Sequence, residues 1–202
     1  MEINLTPEPH AFPTFVPPNA KVLIIGTFPT HIANRSFNFY YSNRNNFFWK
    51  IIGDLYNHEW KFNEGIEAEE ERKSFAASHQ IAFTDMLESA TRENDLSSDE
   101  NLSNVKLRNI LQILSDHPSI EKLVLTSRVN TQNTISAQKL LIDHLNENNI
   151  ESFYNKEGTL VKGQFEYQNR LIKIFVPYST MPRVVRIHGE ETVRKMYELS
   201  LK

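Results

Sequence analysis

Cysteine is absent from the 202-residue chain. Its absence excludes a disulfide framework, a thiolate zinc site and an iron–sulfur cluster. A reducing, cytoplasmic location is the expectation that follows. Long apolar runs are also missing. No segment approaches the roughly 20 apolar residues of a membrane span, so no membrane partner is expected. The first residues include Glu2 and Pro7, so no signal peptide is expected either. There is no Gly-rich phosphate loop, no nucleophile elbow and no His-x-x-x-His pair. The seven histidines are scattered singly and read as surface residues, so no metal or cofactor is assigned. Excess positive charge is lacking too. The formal net charge of −3 counts mildly against tight nucleic-acid binding, which needs Lys and Arg on phosphates, unless one face is locally basic.

What remains is ordinary for a soluble globular chain: 40% hydrophobic and 23% charged residues. Residues 1–202 read as a single domain, expected to be a monomer. Residues 1–20 hold five prolines and read as an extended arm wrapping that domain.

The segment Lys21 to Trp49 organises the rest. Val22 to Ile25 is an unbroken apolar run suited to a buried strand. Gly26 ends it, and Pro29 delays helix entry. A loop rich in rings and amides follows, including Tyr40, Tyr41 and Asn46. Helical spacing then predicts a helix over 44–57. The loop leaves the carboxyl end of the strand, where open α/β sheets bind ligands. Flat rings and amides in such a crevice suit a flat ligand with a hydrogen-bonding edge, such as a nucleobase.

Further on, Glu64 to Glu71 reads as a solvated helix face. Gln80 to Leu87 reads as a short strand turning into a loop. Val105, Leu107, Ile110, Leu111 and Leu114 predict an amphipathic helix. Glu121 to Thr126 is another buried strand, and Ala137 to Leu145 another helix. Ile150 to Tyr154 is a short strand candidate, and Gly158 to Gln168 suggests a hairpin. Leu171 to Val176 is the last long strand. Glu190 to Leu201 is the closing helix, with Val193, Met196 and Tyr197 inward. Strands alternating with helices predict a three-layer α/β/α sandwich around a central, mainly parallel sheet of about four strands. The strand ends at 26, 84, 126 and 177 should converge on one rim.

After the last strand comes PYSTMPR, Pro177 to Arg183. Ser179 and Thr180 are suited to phosphates. Met181 and Pro182 are apolar enough to enter a base step. Arg183 and Arg186 supply the local positive charge that the whole chain lacks.

Three of these segments resemble the uracil-DNA glycosylase superfamily. The closest likeness is to DNA-deoxyinosine (hypoxanthine) glycosylases and to mismatch-specific uracil/thymine glycosylases. GTFPT followed by FYYSNRNNFFWKII resembles their first motif region, with Tyr41, Asn46 and Phe48-Trp49 on the matching positions. Asn43 and Arg44 replace the His-Pro pair of that motif. QIAFTDML and the polar stretch after it resemble a second region through Ile81, Ala82, Asp85, Leu87, Arg92, Ser98 and Asp99. PYSTMPR resembles the loop these enzymes use as a wedge beside a flipped nucleotide.

The resemblance implies a monofunctional DNA glycosylase acting in base excision repair, without metal or cofactor. Its partner would be DNA containing a damaged or mismatched base. Its substrate would be a deaminated base, hypoxanthine ahead of uracil. Asn46 would be the catalytic residue. Tyr41 would stack on the extruded base, with Gly26, Thr27, Phe28, Pro29, Asp85 and Tyr178 lining its site. Ser179, Thr180, Met181, Pro182, Arg183 and Arg186 would meet DNA. Phe28 stands where mismatch uracil glycosylases carry Asn. A phenyl ring cannot activate water, which argues toward the deoxyinosine branch. A mismatch-specific uracil/thymine glycosylase and a non-catalytic nucleic-acid or nucleotide-binding module remain the alternatives.

Overall fold

The computed structural model describes residues 6–92, 99–128 and 135–202; Ser98 lies outside them. Its centre is β2 (Val22–Gly26), buried along its whole length as an unbroken apolar run requires. β2 pairs in parallel with β3 (Ile81–Asp85) on one side and β6 (Lys122–Leu125) on the other. β6 pairs in parallel with β9 (Arg170–Val176).

The sheet does not stop at these four. β8 (Leu160–Tyr167) runs antiparallel to β9, and β7 (Ser152–Glu157) antiparallel to β8. The sheet therefore has six strands, in the order β3-β2-β6-β9-β8-β7, rather than about four. The reason is local. Gly158, at φ +59°, closes a tight turn between β7 and β8, so the hairpin folds back on itself and extends the sheet past β9.

Side chains of β2 alternate between two cores. Val22 and Ile24 pack in one core with residues of α1 (Phe48–Tyr56), α2 (Gly65–Ser78) and α6 (Glu190–Leu201). Leu23 and Ile25 pack in the other with α3 (Ile110–Asp116) and α4 (Ala137–Glu147). Val193, Met196 and Tyr197 of α6 are buried. Among the described residues no helix is long and apolar enough to cross a membrane.

A second, three-stranded sheet corrects two expectations. Leu87 does not enter a loop; β4 (Leu87–Arg92) begins there. Val105 and Leu107 belong to β5 (Leu102–Leu107), antiparallel to β4, and not to a helix. The helix starts later because the Asn109 side chain accepts the Gln112 N–H as its N-cap. The third strand is β1 (Glu8–Pro9), from the proline-rich arm. Past it, Phe15 exchanges two backbone hydrogen bonds with Phe83 at 2.9 and 2.8 Å. The arm is thus held along both β4 and β3, at the edge where the site lies. Residues 44–47 precede α1 rather than belonging to it, and the segment Pro177 to Arg183 runs into α5 (Pro182–His188), with Pro182 at its first position.

Candidate active site

The carboxyl ends of β2, β3, β6 and β9 share one rim, as parallel pairing dictates. A cavity of about 120 Å³ opens there. That is below the ~300 Å³ at which pockets for drug-sized ligands begin; it suits a small ring more than a whole nucleotide. Its lining includes Gly26, Thr27, Phe28, Pro29, Tyr41, Asn46, Asp85, Ser179, Thr180 and Met181.

Gly26 is required by close approach. A Cβ there would stand 2.3 Å from Asp85 Oδ1 and 3.3 Å from the Tyr41 hydroxyl. Asp85 is the register partner of Gly26, so the two strand ends press the carboxylate against bare backbone. Beyond Gly26, the Thr27 and Ser127 hydroxyls meet at 2.9 Å, and Ser127 Oγ accepts the Ala137 N–H at 2.7 Å. The Phe28–Pro29 turn is held by Arg92, which donates to the Pro29 carbonyl at 2.7 Å and lies 5.4 Å from the Phe28 ring.

Tyr41 sits at φ +55°, a left-handed conformation uncommon for a bulky residue. Its ring stacks on Phe48 at 3.9 Å, and its hydroxyl meets Thr126 Oγ1 at 2.9 Å. Burial, then the nearby Asp85 charge, pushes its pKa well above the usual phenol value. It therefore stays neutral at working pH, an uncharged ring held flat at the cavity wall.

Asn46 lines the same cavity. Its Oδ1 accepts the Phe48 N–H at 2.9 Å and the Thr180 hydroxyl at 2.7 Å. A backbone N–H can only donate, so the carbonyl end of the amide is oriented inward. Among the described residues Nδ2 meets only the thioether of Met181, at 3.7 Å. The amide therefore offers donors outward.

Two residues sit otherwise than the sequence suggests. Thr180, read as a phosphate contact, is buried at 1% exposure with its hydroxyl committed to Asn46. Tyr178, read as a wall of the base site, does not line the cavity. Its ring is clamped between the Arg128 guanidinium at 4.0 Å and the His188 ring at 3.8 Å. Ser179 and the exposed Met181 stand at the mouth, while Pro182, Arg183 and Arg186 follow on α5, both arginines exposed.

Three site residues escaped the sequence reading. Thr126 and Ser127 carried a signal, being polar residues directly after a buried strand. His10 carried none. Its side chain is 3% exposed, and its Nε2 lies 2.8 Å from Asp85 Oδ2, although 75 residues separate the two.

Asp99 also lines the cavity. Burial pushes its carboxyl up to about 7 from 3.8, against a hydrogen bond from Thr27 that lowers it; the Asp85 charge adds to the rise. Between these values the folded state holds a proton that the unfolded chain has lost. The stability this contributes is complete below pH 3.8 and is lost as pH rises through 7. Asp99→Asn, which cannot ionise, should therefore melt higher than wild type at pH 8, with the gap closing toward pH 4. Thermal melts across that range check this; a constant gap would mean that Asp99 is well solvated.

No protein-family model matches the chain, and no curated protein matches it. A solved structure does. It is a solution NMR structure from Methanosarcina acetivorans described as a "putative Uracil DNA glycosylase". It is 15% identical, the match covers 97% of each chain, and the TM-score is 0.65. Identity this low speaks for the backbone and not for the chemistry: the chain is similar in fold, end to end, to that protein.

Proposed function

We propose that the chain is a monofunctional DNA glycosylase, working without metal or cofactor, that removes a deaminated base by flipping it into the strand-end cavity. The observation that carries this reading is the oriented amide of Asn46. With Oδ1 held by Phe48 and Thr180, only Nδ2, which meets the Met181 thioether at 3.7 Å, is left to offer N–H donors in the cavity that Asn46 and Tyr41 both line. Donors match the carbonyl that deamination creates on a base and do not match the amino group it replaces. The same donors strengthen as negative charge gathers on the departing base, an effect worth a few kcal/mol by analogy with oxyanion holes.

Tyr41 offers the stacking surface, and base–aromatic stacking is worth about 1–3 kcal/mol. Gly26, Thr27, Phe28, Pro29 and Asp85 complete the wall. Met181, exposed at the mouth, is the side chain placed to fill the gap in the duplex, with Pro182 behind it. Ser179, Arg183 and Arg186 face the phosphates. The fold shared with the neighbour is compatible with this reading, and Phe28 favours hypoxanthine over uracil because no amide stands in its place to orient water.

The test is a panel of labelled duplexes carrying hypoxanthine, uracil, a thymine mismatch or xanthine, nicked with alkali after incubation. Hypoxanthine should give the fastest nicking and normal bases none. Binding of every duplex without cleavage of any would leave a nucleic-acid-binding module in place of an enzyme.

A further inference from the structure

The proposed reaction needs a group to take the proton of water, Asn46 is an amide and a weak base, and a carboxylate lines the same cavity. We propose that Asp85 accepts the proton of the attacking water, and that His10, delivered by the N-terminal arm, is the positioning residue that holds Asp85 for it. The inference rests on the glycosylase reading and adds the half-reaction that Asn46 does not perform.

The geometry is specific. Asp85 is 5% exposed, at the end of β3. A carboxylate can only accept, so His10 Nε2 carries the proton it shares with Oδ2 at 2.8 Å. The other ring nitrogen is fixed as well. His10 Nδ1 lies 2.6 Å from the Phe12 carbonyl and 3.0 Å from the Phe12 N–H. Phe12, Phe28 and Tyr40 surround the imidazole at 5.6 to 5.9 Å between centroids. Oδ2 is therefore committed. Oδ1 lies against Gly26, takes no hydrogen bond among the described residues, and belongs to a carboxylate that lines the cavity. An acceptor atom of that kind, in a cavity, is where a water hydrogen goes.

In the proposed step the water oxygen bonds to C1′ of the deoxyribose as the C1′–N bond breaks. The bonding pair leaves with the base, whose negative charge Asn46 meets. The water proton passes to Asp85 Oδ1. Solvent returns a proton to the base, and Asp85 releases its own to solvent. His10 never touches the substrate. It keeps Oδ2 occupied so that Oδ1 alone faces the water.

The experiment is single-turnover cleavage of a hypoxanthine duplex, with duplex affinity and melting temperature measured in parallel. The variants are Asp85→Asn, His10→Gln and His10→Phe. General-base catalysis contributes ~10²–10⁴-fold, so Asp85→Asn should cleave at least about 100-fold more slowly with affinity unchanged. His10→Gln keeps an N–H for Oδ2 and should stay within about 3-fold of wild type. His10→Phe fills the same space without a donor and should lose about 10-fold. A purely structural role for His10 would leave the Gln and Phe variants alike in rate, and that equality overturns the positioning role. Wild-type cleavage that survives Asp85→Asn overturns the whole inference and leaves the glycosylase reading standing. A wild type inactive on every deaminated base overturns both together.

Discussion

Asn46→Ala should slow cleavage of a hypoxanthine-containing duplex by about two orders of magnitude or more, a loss of ~3 kcal/mol of transition-state stabilisation. The size follows from where the amide sits. Its carbonyl end is already satisfied by the Phe48 N–H and the Thr180 hydroxyl, so alanine deletes the remaining Nδ2 donors of a residue that lines the cavity. It also strands two donors. The Phe48 N–H begins α1, and Thr180 is almost wholly buried. Each stranded donor costs about 1–3 kcal/mol where water cannot replace the acceptor, so melting temperature must be followed beside the rate. Duplex affinity should change little, because phosphate contacts dominate it. Full activity in Asn46→Ala would move the leaving-group donor elsewhere in the cavity.

Phe83→Ala should give the largest stability loss, about 4 kcal/mol, and lower Tm by roughly 10 °C. Phe83 is 1% exposed in the middle of β3. Its ring lies between 5.4 and 6.2 Å, centroid to centroid, from the rings of Phe39, Tyr40, Tyr41, Phe48 and Trp49. Those rings cannot close over the space a phenyl leaves without leaving their own contacts, so most of the cavity should persist. The backbone pairing with Phe15 is independent of the side chain, which keeps the arm in place. Denaturant unfolding reads the loss. A change under about 1 kcal/mol would mean that the aromatic cluster repacks freely. Because Tyr41 and Phe48 are in that cluster, the variant should also lose activity at temperatures where wild type keeps it.

The strands were the most legible part of the chain. Val22–Gly26 and Lys122–Leu125 show themselves as apolar runs because strands buried on both faces have no polar side to alternate with, whereas Arg170–Val176 alternates buried with more exposed positions and shows itself by its β-branched and aromatic residues. Leu102–Leu107 was not legible. Its apolar residues Val105 and Leu107 fall in helical phase with Ile110 and Leu114 across a boundary that only the Asn109 cap marks. The segment Pro177 to Arg183 read as a loop because the helix it enters is seven residues long, too short for a period to show. In the site, Tyr41 and Asn46 were legible from the loop after β2, and the polar pair Thr126–Ser127 could have been.

By itself the sequence determined the strand ends, and with them the rim where chemistry belongs, because hydrophobic periodicity is a property of neighbouring residues. It also determined that the loop after β2 is rich in rings and amides. Only the tertiary structure decided which of these side chains meet. It turned Thr180 inward onto Asn46, clamped Tyr178 between Arg128 and His188, and brought His10 across 75 residues to Asp85. The physical reason is the same in each case. A hydrogen bond between side chains far apart in the chain depends on strand register and loop path, and register is set by the packing of the whole sheet rather than by any short run of residues.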